Sequence, residues 1–442
     1  MDGTALDGRA GLFRRPRDGT RTETGWTRVH TAQMLQAMDV GRVRDDGLCM
    51  QCGTCAAVCP SAAVSLDWEV DSGYRVVVDQ TLCTDCGICV EVCPGTGFDF
   101  RPGAWWRGRN AGAPTRDFLG PCRGLWFGWA TDPEIRHAGA SGGVATAILS
   151  GLLETDLADA VLAVGMCEDR PLRAVGVVAR SPEEVAACRG SKYDVVAVNT
   201  LLRTVLDEPG RYALVGLPCH IQGLRLAQRR SRRLRERVVL ALGIFCGLTG
   251  EPRATEVAAL QAGLDPADLA SVSYRGPGWP GGMRLVTREG RVRWRDYPEY
   301  YDRYVAAHTP PRCRLCPDAL AELADVSVGD AWLERFDGAD GVSDLIVRTP
   351  GGEQAAAAVA VRLVLQDADP EEMIASQAET YRVKRDILRG RLALRTAAGR
   401  PVPDYPGLDL GAGARDWLLG ALDLGRERLY RRLAAVRYPS PR

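Results

Sequence analysis

Two copies of one cysteine spacing constrain this chain more than any other feature. Cys49, Cys52, Cys55 and Cys59-Pro60 form C-x2-C-x2-C-x3-C-P, and Cys83, Cys86, Cys89 and Cys93-Pro94 repeat it 34 residues later. Three thiols two residues apart wrap a loop around one face of a compact cluster. The x3 step and the proline then deliver the fourth sulfur elsewhere. In the bacterial iron–sulfur run the fourth cysteine of each copy ligates the other cluster. The expected grouping is therefore Cys49, Cys52, Cys55 and Cys93 around one [4Fe–4S] cluster, and Cys83, Cys86, Cys89 and Cys59 around the second. Zinc knuckles or secreted disulfides are the competing readings, and eight matched positions with both prolines weigh against them. A chain with this spacing carries electrons.

The 442 residues allow two or three domains with a sizeable core. Basic and acidic residues balance at 56 each, so a nucleic-acid partner is not expected. The run Arg229-Arg230-Ser231-Arg232-Arg233 reads as a solvated loop or helix end. The segment before Asp46 lacks an apolar signal core, and no stretch reaches the roughly 18 apolar residues of a membrane span. Fifteen cysteines without a secretory signal point to the reducing cytoplasm and to metal ligands. Only two lysines, Lys192 and Lys384, stand among the 56 basic residues, so each is a candidate for a place where a compact ammonium works and a guanidinium does not.

Along the chain, residues 1–45 read as a polar, flexible leader and 46–100 as the two-cluster unit, with a short strand at Tyr74–Val78. Residues 101–119, including Ala104-Trp105-Trp106-Arg107-Gly108, read as a linker. From 120 to 365 strands alternate with helices: Ala160–Val164, Ala174–Ala179, Tyr212–Leu217 and Val238–Phe245 are apolar strand runs. That alternation predicts an α/β domain. Residues 366–442 read as helical, with Asp416–Val436 a docking helix. The expected fold class is a small α+β ferredoxin-like domain fused to an α/β domain with a helical C-terminal segment.

Seven cysteines remain. Cys122, Cys167 and Cys188 read as small apolar residues. Cys219 follows one strand run and Cys246 ends another, and ligands of open α/β sheets bind outside the carboxyl ends of strands. Cys313-Arg-Leu-Cys316 is a two-ligand claw in a proline-rich loop. These four make a third [4Fe–4S] site, with a four-cysteine zinc site equally compatible with the spacing.

The stretch from Gly120 to Pro350 resembles the β subunits of coenzyme F420-reducing hydrogenases and F420-linked formate dehydrogenases, and the related 7-hydroxymethyl chlorophyll a reductases. The resemblance is carried, in order, by Ser141-Gly142-Gly143-Val144-Ala145-Thr146, Gly190-Ser191-Lys192-Tyr193, Leu217-Pro218-Cys219 and Ile244-Phe245-Cys246. Cys313-Arg-Leu-Cys316-Pro-Asp318, Ala324–Asp330, Gly341-Val342-Ser343 and Arg348-Thr349 complete it. It implies FAD beside a [4Fe–4S] cluster held by Cys219, Cys246, Cys313 and Cys316. His220 departs from the glutamine usual after Pro-Cys, where a ring changes a hydrogen bond to cluster or flavin.

In that context Ser141, Gly142, Gly143 and Thr146, at the start of an apolar helical run, offer backbone N–H groups to the FAD pyrophosphate. Gly190, Ser191 and Lys192 supply a second phosphate or flavin contact, with Tyr193 bordering the isoalloxazine ring. Asp330 caps, binds ribose or closes a turn. His137 and His308 read as structural. The expected activity is that of a cytoplasmic iron–sulfur flavoenzyme oxidoreductase. Ferredoxin or another one-electron donor feeds the clusters, and hydride passes between FAD and coenzyme F420. Two alternatives stand beside it: a ferredoxin-dependent reductase of a particular metabolite, and a non-catalytic electron-transfer subunit with a hydrogenase or formate dehydrogenase partner. A homo-oligomer is compatible with each.

Overall fold

The computed structural model describes residues 39–101, 115–116 and 118–437. The Trp105-Trp106 stretch and the leader before Asp39 lie outside the described residues. Chain order begins before the predicted boundary at 46. Helix α1 (Val40–Asp45) is capped by the Asp39 carboxylate and buries Val40 and Val43, so these six residues belong to the folded body and not to the leader.

Each cysteine run is a loop that passes through one short helix carrying its third cysteine, α2 (Thr54–Val58) and α3 (Ile88–Glu91), with the hairpin β1 (Val64–Glu69) and β2 (Gly73–Val78) between them. The body is built on one eight-stranded sheet. In chain order its strands are β3 (Gly124–Ala130), β4 (Ala160–Met166), β5 (Ala174–Ala179), β6 (Tyr212–Gly216) and β7 (Val238–Ile244). A separate three-stranded antiparallel sheet follows, of β8 (Leu269–Ser273), β9 (Gly282–Thr287) and β10 (Val292–Asp296). The main sheet closes with β11 (Val326–Asp330), β12 (Ser343–Val347) and β13 (Leu363–Asp367).

The spatial order is β13-β3-β12-β11-β7-β6-β4-β5. Strands β4, β6, β7 and β11 run parallel at the centre, and antiparallel strands flank them on both sides. The central strands are continuous apolar runs because both faces are covered. Ala213, Leu240, Leu242 and Val326 meet helix α4 (Val144–Glu154) in one core; Leu214 and Ala241 meet helix α5 (Pro218–Arg230) in another. That second core also takes Val58, Ile88 and Val92 from the cysteine-rich unit, so unit and body share one hydrophobic interior.

The sequence reading placed four of these strands within two residues at either end. It missed the three-stranded sheet, whose exposed β10 alternates charged residues and lacks an apolar run. The C-terminal segment does more than dock. Helices α6 (Leu388–Ala397) and α7 (Ala414–Arg437) cross where Gly390 and Gly420 meet, each lacking room for a Cβ. The intervening loop returns to the cysteine-rich unit: Phe98 N donates to Asp404 O at 3.0 Å and Phe100 N to Pro406 O at 2.6 Å.

Candidate metal centres and cofactor cleft

The two cysteine runs adopt one backbone. Gln51 and Asp85, third in each run, have φ of 58° and 50°, and Gly53 and Gly87, fifth in each, have 86° and 71°. Such left-handed positions curl the loop tightly, and the cost of placing Gln51 and Asp85 there marks a functional turn. The curl turns backbone N–H groups inward, and Gln51 N donates to Cys49 Sγ at 3.3 Å. A small cavity is lined by Cys49, Cys52, Cys55 and Cys93 together, which brings the fourth sulfur of one run to the first three of the other. The thiols acting electrostatically on Cys89 are Cys86, Cys59 and Cys83. Both groups match the crossed pairing expected from the spacing.

The two groups differ in exposure. A Cβ on Gly53 would meet Ala197 O at 2.8 Å and Thr200 N at 2.9 Å, so the first run lies directly against the body. A Cβ on Gly87 would meet nothing within 4 Å among the described residues beyond its chain neighbours, and Cys86 is exposed. One group is therefore inner and the other outer. Arg230 pairs with Glu91 across this junction, so the arginine run is partly an inter-domain contact and not simply a solvated helix end.

Cys219 sits in the first turn of α5, just past the carboxyl end of β6, and Cys246 lies two residues past the end of β7. Cys246 N donates to Ala319 O at 2.8 Å, which draws the Cys313–Cys316 loop against it. Burial raises the Cys219 thiol well above its usual range, and Cys313, Cys246 and Cys316 act on it in the same direction. Burial likewise pushes Cys313 up to about 11 and Cys246 up to about 12. Four buried sulfurs can ionise together only beside positive charge. Lys384, 3 % exposed, supplies one: burial opposes its charge, but Cys316, Cys246, Cys313 and Asp318 raise its pKa overall. The donor set and this cation fit an iron–sulfur cluster. Among the described residues no three His, Cys, Asp or Glu side chains are placed to hold a single metal ion.

The C-terminal helices lock this third group. Arg314, between the two claw cysteines, reaches Glu427 at 3.3 Å, and Arg391 reaches the same carboxylate at 2.9 Å. Arg312, 1 % exposed, spans to the first unit: its Nε donates to Gly95 O at 3.0 Å and its Nη2 to Tyr405 Oη at 2.6 Å.

Both ring nitrogens of His220 are committed to backbone groups. Leu217 N donates to its Nδ1 at 3.0 Å, so Nε2 carries the proton and donates to Val196 O at 2.9 Å. Burial pushes its pKa down to about 4, which keeps the ring neutral in this role. The ring fixes the turn that presents Cys219.

A cleft of about 710 Å³ is lined by Gly190, Ser191, Lys192, Arg189, Arg275 and Arg284, among others. The Lys192 ammonium donates to the carbonyls of Cys188, Arg189 and Gly190, the last at 3.0 Å. Burial lowers its pKa to about 8, so an anion in the cleft would hold its charge. Size and basic lining fit a phosphate-bearing cofactor such as FAD.

Arg275 is the hub that the sequence did not flag. Its guanidinium donates to Ala140 O at 2.7 Å, Tyr193 Oη at 3.1 Å and Pro280 O at 2.7 Å, and pairs with Asp330 at 2.9 Å. It also stacks over Tyr297 at 4.1 Å. Asp330 thus holds a guanidinium at the carboxyl end of β11. Tyr193 does not itself line the cleft. It packs edge-on to Tyr301 at 4.8 Å and parallel to Tyr297 at 6.2 Å. Tyr301 in turn exchanges hydrogen bonds with the Leu248 backbone at 3.0 Å, two residues beyond Cys246. These tyrosines join the third thiol group to Arg275.

The Ser141–Gly143 loop is tighter than expected. Ser141 Oγ donates to Val342 O at 2.7 Å, and Gly142 N donates to Ser343 Oγ at 2.9 Å, so these groups are committed within the chain. A Cβ on Gly142 would collide with Gly128 O, and one on Gly143, at φ 74°, would meet Ile135 O at 2.7 Å. Thr146 is buried and does not line the cleft. The glycines serve close packing, and Arg275 ties the loop to the cleft. Asp325, Arg348 and Thr349 are likewise structural: Asp325 accepts from Ala241 N and Thr349 Oγ1, each at 2.9 Å, and Arg348 Nη1 donates to Leu119 O at 2.6 Å. His308 is held neutral by burial, with its pKa near 4, and lies outside the cleft. No helix among the described residues is long and apolar enough to cross a membrane.

Residues 125–203 match the N-terminal part, and 210–372 the C-terminal part, of the coenzyme F420 hydrogenase/dehydrogenase beta subunit; 48–96 match a 4Fe-4S dicluster domain. The chain is 25% identical over 366 residues to the coenzyme F420-dependent sulfite reductase of Methanocaldococcus jannaschii, covering 80% of this chain and 52% of that protein, so it spans about half of that relative's length. It is 28% identical over 236 residues to the coenzyme F420 hydrogenase subunit beta of Methanococcus voltae, covering 51% of this chain and 76% of that one. A chain in a structure of the F420-reducing [NiFe] hydrogenase complex from Methanosarcina barkeri shares the fold, with a TM-score of 0.51 at 21% identity, over 64% of this chain and 96% of that chain. With both parts matched in order behind a dicluster domain, the chain belongs to the coenzyme F420 hydrogenase/dehydrogenase beta subunit family.

Proposed function

We propose that this protein is an iron–sulfur flavoprotein oxidoreductase that passes electrons between its ferredoxin-type unit and FAD, for hydride exchange with coenzyme F420. The observation that supports this most is the succession of three thiol groups: the outer group with exposed Cys86, the inner group whose Cys52 acts on Cys219, and the third group, which Tyr301 and Tyr193 join to Arg275 of the basic cleft. Cys49, Cys52, Cys55 and Cys93 would hold the inner [4Fe–4S] cluster, Cys83, Cys86, Cys89 and Cys59 the outer, and Cys219, Cys246, Cys313 and Cys316 the third. FAD in the cleft would supply the exchange between one-electron and two-electron chemistry.

The chain's own residues would bind, orient and balance charge. Arg189 and Arg284 would face phosphate oxygens, Lys192 would add its charge from the cleft wall, where its three protons hold the carbonyls of Cys188, Arg189 and Gly190, Gly190 and Ser191 would allow close approach, and Arg275 fixes the cleft wall through Asp330. Lys384 offsets thiolate charge at the third site. The exposed face around Cys86 and Leu82, the latter 50% exposed, gives a one-electron donor of the ferredoxin class a place to approach.

Anaerobic purification with iron, sulfide and flavin measured on one sample is the test. The expected result is about twelve iron atoms per chain, the count for three [4Fe–4S] clusters, and one FAD. About eight iron atoms with stoichiometric zinc would remove the third cluster, and absence of flavin would remove the enzyme. Turnover with reduced ferredoxin and a metabolite, but none with the deazaflavin, would move the substrate assignment. A second reading, an electron-transfer subunit beside a catalytic partner, is favoured by the likeness to the coenzyme F420 hydrogenase subunit beta of Methanococcus voltae. Stable co-purification with a catalytic chain would select it.

A further inference from the structure

We propose that Asn199 is the positioning residue that couples the inner cluster to the third. This rests on the reading that each thiol group holds a [4Fe–4S] cluster. The two groups belong to segments far apart in sequence, yet Cys52 is the first thiol, after burial itself, acting on Cys219.

One carboxamide bridges the gap. Cys52 Sγ lies 3.3 Å from Thr54 Oγ1, and Thr54 Oγ1 accepts from Asn199 Nδ2 at 2.8 Å. The same Nδ2 donates its other proton to the carbonyl of His220, the residue bonded to Cys219, at 2.8 Å. Asn199 N also donates to Cys52 O at 3.0 Å. Asn199 is fully buried, and its Oδ1 has no hydrogen-bond partner. A buried amide with one unsatisfied acceptor is costly, and a merely structural clamp would not need that cost. Both Nδ2 protons are spent on the two cluster-bearing segments. The result is a three-contact path from Cys52 to the Cys219 turn, within a dry core where such contacts hold one geometry.

The step is a single-electron transfer. One electron would leave a reduced inner cluster and one would enter an oxidised third cluster; no bond would be made or broken and no proton would travel the path. The reductant is a one-electron donor acting at the exposed outer cluster. With Asn199 donating to it, the Thr54 hydroxyl proton is directed at Cys52 sulfur, and hydrogen bonds to cluster sulfurs raise reduction potential.

The test uses the anaerobically purified full chain and its Thr54→Val, Thr54→Ser and Asn199→Ala variants, with Thr200→Val as control. Thr200 Oγ1 bonds only to Ala197 O, at 2.8 Å, beside the path but not in it. Dithionite-reduced ferredoxin is the electron source, and iron content, EPR and flavin absorbance are read on each sample. The expected result for Thr54→Val is wild-type iron, unchanged reduction of the outer cluster, several-fold slower flavin bleaching and a lower midpoint potential for one cluster. Magnetic interaction between the reduced inner and third clusters should weaken in Asn199→Ala. Thr54→Ser should restore both rate and potential, and Thr200→Val should change neither. Full iron with unaltered flavin reduction, potential and magnetic interaction in Thr54→Val and Asn199→Ala would overturn the coupling role. Wild-type protein lacking the third cluster would instead sink the underlying reading, so the two failures are distinguishable.

Discussion

Arg275 and Asp330 form an ion pair at 2.9 Å in which the guanidinium side chain is wholly withdrawn from solvent. The pair joins the three-stranded sheet to the carboxyl end of β11, and through Ala140 and Tyr193 it gathers the loops of the cleft. Burial alone would weaken the guanidinium's charge, but Asp330 and the nearby tyrosines hold it. A planar fork with that many fixed partners is not replaceable by an ammonium.

Asp330→Asn should therefore destabilise the fold by about 3 kcal/mol, because it leaves a buried guanidinium without its counter-charge. Urea unfolding measures this. Arg275→Lys should cost less stability but release flavin on gel filtration, since the Ala140 and Tyr193 contacts cannot all be made at once.

Lys384→Met should lower the midpoint potential of the third cluster by about 60 mV, the equivalent of a tenfold change in a one-electron equilibrium. The sign follows from charge: a buried cation stabilises the extra electron, so its loss favours the oxidised form. An EPR-monitored redox titration reads it. An unchanged potential with full iron content would show that the lysine's charge does not reach the cluster.

Cys86→Ser should remove only the outer cluster. The iron content should fall by about four atoms per chain, the content of one cubane. EPR signals of the inner and third clusters should persist, because the inner run is packed on the body and Cys86 lies on the open side.

The contribution of buried Asp344 to stability should fall as pH rises from about 4 toward 8, the span between an ordinary aspartate and its folded state, while His220 and His308, held neutral by burial, act in the opposite sense below about 6.5. Burial pushes Asp344 up to about 8, against hydrogen bonds from Ser376 Oγ at 2.6 Å and Gln377 Nε2 at 2.9 Å. Across that window the unfolded chain releases a proton the native state keeps, so the native state loses ground. Asp194, pushed up to about 7 by burial, adds the same sign. Melting temperatures at pH 5 and pH 8 check this, and Asp344→Asn should flatten the difference in part.

Much of the core was legible because burial on both faces leaves a strong sequence signature. The runs at 160, 174, 212 and 238 are apolar and β-branched, and each is a strand. Strand β10 was not legible, since Arg293, Arg295 and Asp296 face outward and leave no apolar run. The glycines at 142 and 143 were visible but their purpose was not. A Gly-Gly before a helix reads the same whether it cradles a phosphate or passes close to a neighbouring strand, and here Gly128 and Ile135 stand where a side chain would go. Lys384 and Lys192 stood out as the two lysines; Lys384 proved buried beside the third group of cysteines, and Lys192 half-buried in the wall of the cleft.

The cysteine spacing by itself determined that three sulfurs of each run converge and that the fourth crosses over, because those relations depend only on short loops and a proline. It also marked Cys219 and Cys246 as strand-end thiols. Which cluster lies inner and which outer was decided by tertiary packing: Gly53 meets the body, Gly87 does not, and nothing in two equivalent repeats distinguishes them. The roles of Asn199, Arg275, Arg312 and His220 were decided there too. Each acts through backbone carbonyls and side chains brought together only when distant segments share one buried core, and residue spacing along the chain carries no trace of that.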